Sequence, residues 1–338
     1  MSTFTEAVPI VDFSRLVKGE EDPQARAIIH RACCDSGFFY LSNFGIGEAD
    51  ITAVKKAMQW FFALPGEVKQ SVARSENNSR GYYNNELTKN IRDMKEVFDF
   101  GFKVNSILPD GAEVNHTQDG WNQWPSVDGS RQFKIQLEDY FTQCTSVALR
   151  LLGVLTANLG APVDTLKSDF YPDHSSFLRL NYYPVGDPLA LATGGDSKSA
   201  ESGHMGVHHH TDAGALTLLL QDDVGGLEVY HENVWKPVPP VAGTLVVNIG
   251  DIVKVWSNDL YHAALHRVVA SSKEDRYSAP YFYNPVYSAI YQPLTEILGQ
   301  KVVPNYAPIN WGHFRQERQH GDYGDFGDEI QISDFRLN

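Results

Sequence analysis

Apolar positions recur at two different periods along this chain, and the change of period divides it. In the first half the repeat is mostly helical. Pro23 to Cys34 reads as a helix, and so does Ile51 to Ala63, where Ala53, Met58 and Phe61-Phe62 share a face that Pro65-Gly66 terminates. Val8 to Asp12 and Phe38 to Leu41 read as short strands. The longest helical pattern is Arg131 to Leu159. Its stripe of Phe133, Leu137, Tyr140, Phe141, Cys144, Val147, Leu151 and Leu155 stops before Gly160 and Pro162.

After about Ser175 strand-like runs take over: Phe177 to Tyr183, Ala215 to Gln221, Leu227 to Tyr230, Thr244 to Ile249, His262 to Val269 and Ser278 to Asn284. Gly225-Gly226, Pro239-Pro240 and Gly250-Asp251 punctuate them. Many short strands beside few helices predict a sandwich or barrel rather than an alternating α/β domain. Asp187 to Gly203, rich in Gly, Ser, Ala and Asp, reads as a loop placed to act as a lid or as plain surface variation.

Composition narrows this only a little. The chain has 338 residues, 42% hydrophobic and 21% charged, which is enough to bury a sizeable core. A formal charge of -14 disfavours nucleic acid and anionic membranes as partners and leaves a small molecule as the expected one. Cys33, Cys34 and Cys144 show neither zinc-ligand spacing nor a secretory disulfide framework. Met1 to Val11 lacks a signal-peptide pattern, and no apolar run reaches the ~18 residues of a membrane span. A cytoplasmic protein is the expectation, either monomeric or weakly dimeric. Dinucleotide and Walker-type phosphate loops are absent.

The chemistry concentrates in three residues. His210 and Asp212 lie two apart, so an extended strand points both the same way, and His266 follows far downstream in another apolar run. Two imidazoles and a carboxylate suit non-haem Fe(II), bound on one face with positions left open for a co-substrate and dioxygen. With 12 His in the chain, spacing alone also permits a three-His zinc site or a cluster of surface His. His204, His208 and His209 compete for the role.

The surroundings of the triad carry a resemblance. The run from His210 through Thr211-Asp212-Ala213-Gly214-Ala215 to Leu219 resembles the metal-binding strand of the iron(II)/2-oxoglutarate-dependent oxygenases of the isopenicillin N synthase-like family. It continues through Gln221 to Leu227, Val247-Asn248-Ile249-Gly250-Asp251, Trp256-Ser257-Asn258 and His266-Arg267-Val268. Upstream, Val8-Pro9-Ile10-Val11-Asp12, Asp35-Ser36-Gly37-Phe38-Phe39, Arg80-Gly81-Tyr82, Lys95-Glu96-Val97-Phe98-Asp99 and Asn122-Gln123-Trp124-Pro125 are similar too, so the likeness spans about residues 7 to 318.

That resemblance implies a mainly β fold with flanking helices, whose core is a double-stranded β-helix, a distorted jelly-roll of the cupin kind. The implied organisation is an N-terminal α/β region over residues 1–125, a bracing helix and connection over 126–174, the jelly-roll core over 175–288, and a C-terminal helical segment over 289–338. Tyr306 to Arg318 would supply that closing helix. The implied metal ligands and catalytic centre are His210, Asp212 and His266.

Arg276 and Ser278, alternate on a strand, match the pair that holds the distal carboxylate of 2-oxoglutarate; a guanidinium fork and a hydroxyl suit such an anion. Asn181 and Tyr183 resemble positions near the co-substrate, while Tyr182 has the opposite parity and reads as structural. The implied reaction is oxidative decarboxylation of 2-oxoglutarate to succinate and CO2, coupled to hydroxylation, desaturation or ring closure of a small organic molecule. Fe(II) and O2 are required, with ascorbate as a stimulant.

Phe282, with the parity of Arg276 and Ser278, is the leading candidate for a substrate wall. Arg80, Tyr82, Lys95 and Phe98 are weaker candidates, equally explained by internal ion pairs and packing. Alternatives are an oxidase or cyclase that uses O2 without 2-oxoglutarate, a non-catalytic metal-bearing jelly-roll, and a zinc hydrolase recruiting His208 or His204. The substrate is not legible.

Overall fold

A computed structural model describes residues 8–75, 78–88, 90–101, 120–187, 205–294, 303–321 and 330–337. Strand β1 (Ile10–Asp12) runs parallel to β2 (Phe38–Ser42), with helix α1 (Pro23–Asp35) between them. Asp22 opens α1 by accepting the Ala25 amide at 3.0 Å, with Pro23 in the first turn. Gly37 closes it at φ +72°; a Cβ there would lie 1.9 Å from the His262 carbonyl oxygen, so only glycine permits this tight entry into β2.

Helix α2 (Glu48–Phe62) buries Val54, Ala57, Met58, Phe61 and Phe62 and is followed by the short α3 (Gly66–Gln70). Four strands that the hydrophobic pattern does not predict follow: β3 (Gly81–Tyr83), β4 (Leu87–Thr88), β5 (Ile91–Arg92) and β6 (Glu96–Gly101). Charged residues hide them, because much of the charge is paired inward rather than solvated. Helix α4 (Ser130–Asn158) then buries every member of the predicted stripe.

The remaining strands are β7 (Phe177–Tyr183), β8 (Met205–His210), β9 (Leu216–Gln221), β10 (Leu227–His231), β11 (Val234–Pro237) and β12 (Thr244–Ile249). A short helix α5 (Asp251–Trp256), not anticipated from sequence, precedes β13 (His266–Val269) and β14 (Arg276–Tyr283). The two-residue strands β15 (Ile290–Tyr291) and β16 (Ile309–Asn310) pair ahead of helix α6 (Trp311–Gly321). That pairing is why α6 starts later than Tyr306. The Asn310 carboxamide accepts the His313 amide at 2.9 Å and defines the helix start.

Two sheets face each other as a distorted jelly-roll. The larger has the order β1-β2-β12-β9-β14-β7-β6-β3 and the smaller β11-β10-β13-β8. The central strands of the larger sheet are buried on both faces, and strand periodicity sorts their side chains. Phe39, Leu41, Leu218, Leu220, Leu245 and Val247 join the core with the helices, whereas Phe38, Tyr40, Leu219 and Val246 join Val207, Leu227, Val229 and Val268 between the sheets. Such double burial makes these strands read as continuous apolar runs.

The run from His262 begins its strand only at His266. Asn258 and Asp259 hold left-handed conformations at φ 51° and 70°, and the His262 amide bonds to Cys33 in α1, so the chain turns before it can pair. Most of the expected Asp187 to Gly203 loop lies outside the described residues. Asp187 itself pairs with Arg92 of β5 at 2.5 Å. Among the described residues no helix is long and apolar enough to cross a membrane.

Candidate metal and co-substrate site

Strands β8 and β13 are antiparallel, and their register sets His210 opposite His266 with ring centroids 4.4 Å apart. Asp212 does not share the strand with His210, because β8 ends there. The chain turns after Thr211, and the Asp212 carbonyl accepts the Asp251 amide at the start of α5 at 2.8 Å. Gly250 allows this approach; a Cβ on it would lie 2.1 Å from the Gly214 carbonyl oxygen. Asp212 Oδ1 thereby comes within 3.6 Å of His210 Nε2 and 3.5 Å of His266 Nε2. Among the described residues this is the group of His, Cys and acidic side chains whose ligand atoms converge, all within 4.8 Å of one another.

Each ligand is oriented from behind. His210 Nδ1 donates to the His208 carbonyl at 2.8 Å and His266 Nδ1 to the Ala264 carbonyl at 3.1 Å, which leaves both Nε2 lone pairs facing Asp212. Asp212 Oδ2 accepts from the Thr217 hydroxyl and, at 2.7 Å, from the Asn248 amide, so Oδ1 is the oxygen left over. Burial opposes ionisation of Asp212, yet the imidazoles of His266 and His210 outweigh it and hold the carboxyl well below its usual range. Burial also lowers His210, with His266 adding to the effect, which favours a neutral imidazole ligand. Burial lowers His266 as well, but Asp212 more than offsets it, so a proton and a metal ion compete for the same place. Two imidazole nitrogens and one carboxylate oxygen, converging and preoriented, fit a first-row divalent metal with sites to spare.

The two competing histidines that the structure describes lie elsewhere. His208 is tied to Asp93 through both its amide, at 3.0 Å, and its Nδ1, at 2.9 Å. His209 is exposed, and its ring lies 6.3 Å from that of Trp235. His204 is outside the described residues.

Arg276 and Ser278 sit on β14, each 1% exposed, opposite Tyr183 and Asn181 of β7. The Arg276 guanidinium bonds Gln221 Oε1 at 3.0 Å and Ser278 Oγ at 3.4 Å and lies 4.9 Å from the Tyr183 ring centre. Asn181 Nδ2 reaches the same serine hydroxyl at 3.4 Å. Three buried polar atoms here have no partner: Arg276 Nε, Asn181 Oδ1 and Gln221 Nε2. A buried cation among unsatisfied amides fits a polar, anionic ligand. Tyr182, by contrast, donates to Asp275 at 2.9 Å and stacks on Tyr277, as its parity implied.

A cavity of about 130 Å³ opens beside His210 and Asp212, lined by Phe177, Phe282, Trp311, Lys95, Glu86, Arg179, Arg315 and Arg318 among others. Of the weaker pocket candidates, Lys95 reaches it but is held by Glu86 and Asp93 at 2.8 and 3.1 Å. Arg80 is buried behind Phe177, 5.5 Å from that ring centre. Tyr82 donates to Glu96 at 2.8 Å, and Phe98 packs among Phe61, Phe133 and Trp124; neither lines the cavity.

Sequence reasoning missed Thr217, Gln221 and Asn248. A signal existed: Thr217 and Gln221 interrupt Leu216–Gln221 at positions of one parity, and Asn248 interrupts Thr244–Ile249, which places polar groups on a face that is otherwise apolar. Trp311 and Arg315 carried no such signal, because only the docking of α6 brings them to the cavity.

Comparisons with known proteins place the chain in a family. The 2OG-Fe(II) oxygenase superfamily model matches residues 174–285, and that of the non-haem dioxygenase N-terminal region, described from morphine synthesis, matches residues 8–127. Jasmonate-induced oxygenase 1 of Arabidopsis thaliana is 30% identical over 312 residues, covering 91% of this chain and 71% of that protein. A homoarginine-6-hydroxylase of Oryza sativa subsp. japonica is 32% identical over 309 residues, covering 87% and 90%. The crystal structure of a full-length Neurospora crassa protein in complex with alpha-KG and thymine superposes with a TM-score of 0.76 at 27% identity, covering 94% of this chain and 97% of that one. The chain belongs to the 2OG-Fe(II) oxygenase superfamily. It is a non-haem iron dioxygenase that couples decarboxylation of 2-oxoglutarate with oxidation of a small organic molecule.

Proposed function

We propose that His210, Asp212 and His266 hold the ferrous iron, that Arg276 and Ser278 anchor the distal carboxylate of 2-oxoglutarate, and that the adjoining cavity receives the molecule to be hydroxylated. The carrying observation is the convergence of the three ligand atoms within 4.8 Å on the inner wall that also bears the unsatisfied Arg276. When bound, iron supplies the activation of dioxygen that links loss of CO2 from the keto acid to oxidation of a substrate carbon.

The chain's own residues supply placement. Thr217 and Asn248 hold Asp212 so that Oδ1 alone faces the imidazoles. Gln221 presents the Arg276 fork, while Asn181 and Tyr183 border the keto acid. Phe177, Phe282 and Trp311 add apolar surface to the cavity that His210 also lines, against which a substrate carbon can pack. No side-chain general base is assigned. The domain division at about residues 125, 174 and 288 is proposed as a description of these roles: a roof, a brace, a catalytic core and a closing helix.

The test is an anaerobic titration of the iron-loaded protein with 2-oxoglutarate, followed through the visible charge-transfer band, and then aerobic scoring of succinate above the uncoupled background. Asp212→Ala is expected to abolish the band and lower succinate formation at least ~100-fold, beyond the usual loss for an outer-shell change. Full turnover by iron-replete Asp212→Ala would falsify the assignment. Substrate oxidation without succinate would favour the oxidase alternative.

A further inference from the structure

Among the described residues, the charged groups of the cavity divide into a paired set and one without a carboxylate partner. Glu86 lines it but is saturated. Arg179 grips both of its oxygens at 2.8 Å, Lys95 stands 2.8 Å from Oε2 and Arg74 3.3 Å from Oε1. Behind it Asp99 is held by Arg74 and, at 2.9 Å, by Arg179, and Asp93 takes Lys95 at 3.1 Å. Three carboxylates and three cations thus close on themselves. The other carboxylate of the wall, Asp212, belongs to the triad. Arg318 turns to the Thr211 and Ile330 carbonyls at 3.3 and 3.2 Å.

Arg315 differs. It lines the cavity from α6, half-buried, its guanidinium 5.7 Å from the Phe177 ring centre, and among the described residues no carboxylate comes within 4.0 Å of it. Arg80, 6% exposed, flanks the same ring at 5.5 Å and likewise has no carboxylate at ion-pair distance among the described residues. Its place is built in: a Cβ on Gly101 would meet Arg80 Nη2 at 2.5 Å. Among the described residues the wall therefore carries a positive excess beside Phe177 in a partly desolvated space.

On the reading of this cavity as the substrate site, we infer that the primary substrate is a small organic carboxylate with a flat apolar body, whose carboxylate Arg315 takes. A guanidinium fork matches the two coplanar oxygens of a carboxylate, and the stacked pair Phe177 and Phe282, 4.6 Å apart, with Trp311 offers flat apolar surface to the remainder. Arg80 adds positive potential from behind the ring without touching the ligand. The inference separates this chain from the thymine-binding structure, because thymine is neutral and needs no unpaired cation.

The test is calorimetric titration of the anaerobic iron- and 2-oxoglutarate-loaded protein, and of the metal-free protein, with 3-phenylpropionate and cinnamate. Their primary amides and phenethylamine serve as neutral and cationic counterparts. The acids are expected to bind at least ~10-fold more tightly than the amides, as one charge-assisted contact implies. Arg315→Gln should erase that preference, and Arg315→Lys should restore part of it. Equal affinity for acids and amides, preference for the amine, no binding of either acid, or an unchanged preference in Arg315→Gln would each overturn the inference. Wild-type protein that selects acids yet forms no charge-transfer band with iron and 2-oxoglutarate would sink the metal assignment while supporting the substrate class.

Discussion

Two buried polar clusters share the interior wall of this jelly-roll, and they are organised in opposite ways. Around Glu86, Asp93 and Asp99 the carboxylates meet Arg74, Lys95 and Arg179 at close range, so each carboxylate has its counter-charge within the fold. Around Arg276 the guanidinium is as deeply buried but meets only amides and hydroxyls, and three polar atoms have no partner. Desolvation costs are similar in the two places; what differs is whether the fold or a ligand compensates them. The first cluster tethers β6 and β7 to the loop carrying Glu86. The second keeps hydrogen-bonding capacity that, on the proposed function, a dicarboxylate takes up.

Removing a partner from the closed cluster is expected to have the largest effect on stability. Asp99→Ala leaves Arg74 and Arg179 short of a counter-charge and should cost about 3–5 kcal/mol, read from urea unfolding. Burial raises the Asp99 carboxyl, but Arg179 and Arg74 outweigh it and keep it below the ordinary range. Its contribution is therefore complete above the unfolded value near ~4 and is lost as pH falls through the lower folded value. The urea midpoint of the wild type should drop below pH ~4, and Asp99→Ala should drop less steeply. A parallel decline in both would remove Asp99 from the acid limb.

Arg276→Met tests the open cluster and should behave inversely. Because no carboxylate of the described residues lies at ion-pair distance from Arg276, the unfolding midpoint should hold or rise. The KM for 2-oxoglutarate should increase roughly 100-fold, about 3 kcal/mol, typical of losing one side of a buried charge-assisted contact. Lost stability with unchanged KM would erase the distinction between the clusters.

The smallest effect is expected from the supports of Asp212. Asn248→Ala should weaken Fe(II) binding by ~10-fold, measured by competition with a chelator, and leave the 2-oxoglutarate KM nearly unchanged once iron saturates. An unchanged iron affinity would mean that Thr217 alone orients the carboxylate.

The order of residues along the chain determined a good deal. Alternation placed Arg276, Ser278 and Phe282 on one face of β14 and Asn181 with Tyr183 on one face of β7, because side-chain direction in a strand depends only on position parity. The α4 stripe was equally local and agreed almost to the residue. Family likeness around His210, Asp212 and His266 carried the chemistry.

Tertiary structure decided the rest, wherever a role depends on what lies across space. Whether His208 faces a metal or Asp93 depends on the loop that precedes β6. Asp212 meets His266 because β8 stops early and α5 catches the turn. Arg179 and Arg315 are both arginines of one cavity wall, yet one is consumed by Glu86 and the other, among the described residues, meets no carboxylate. Charge and parity are properties of a residue. Neutralisation and desolvation are properties of its neighbours, and only folding selects those.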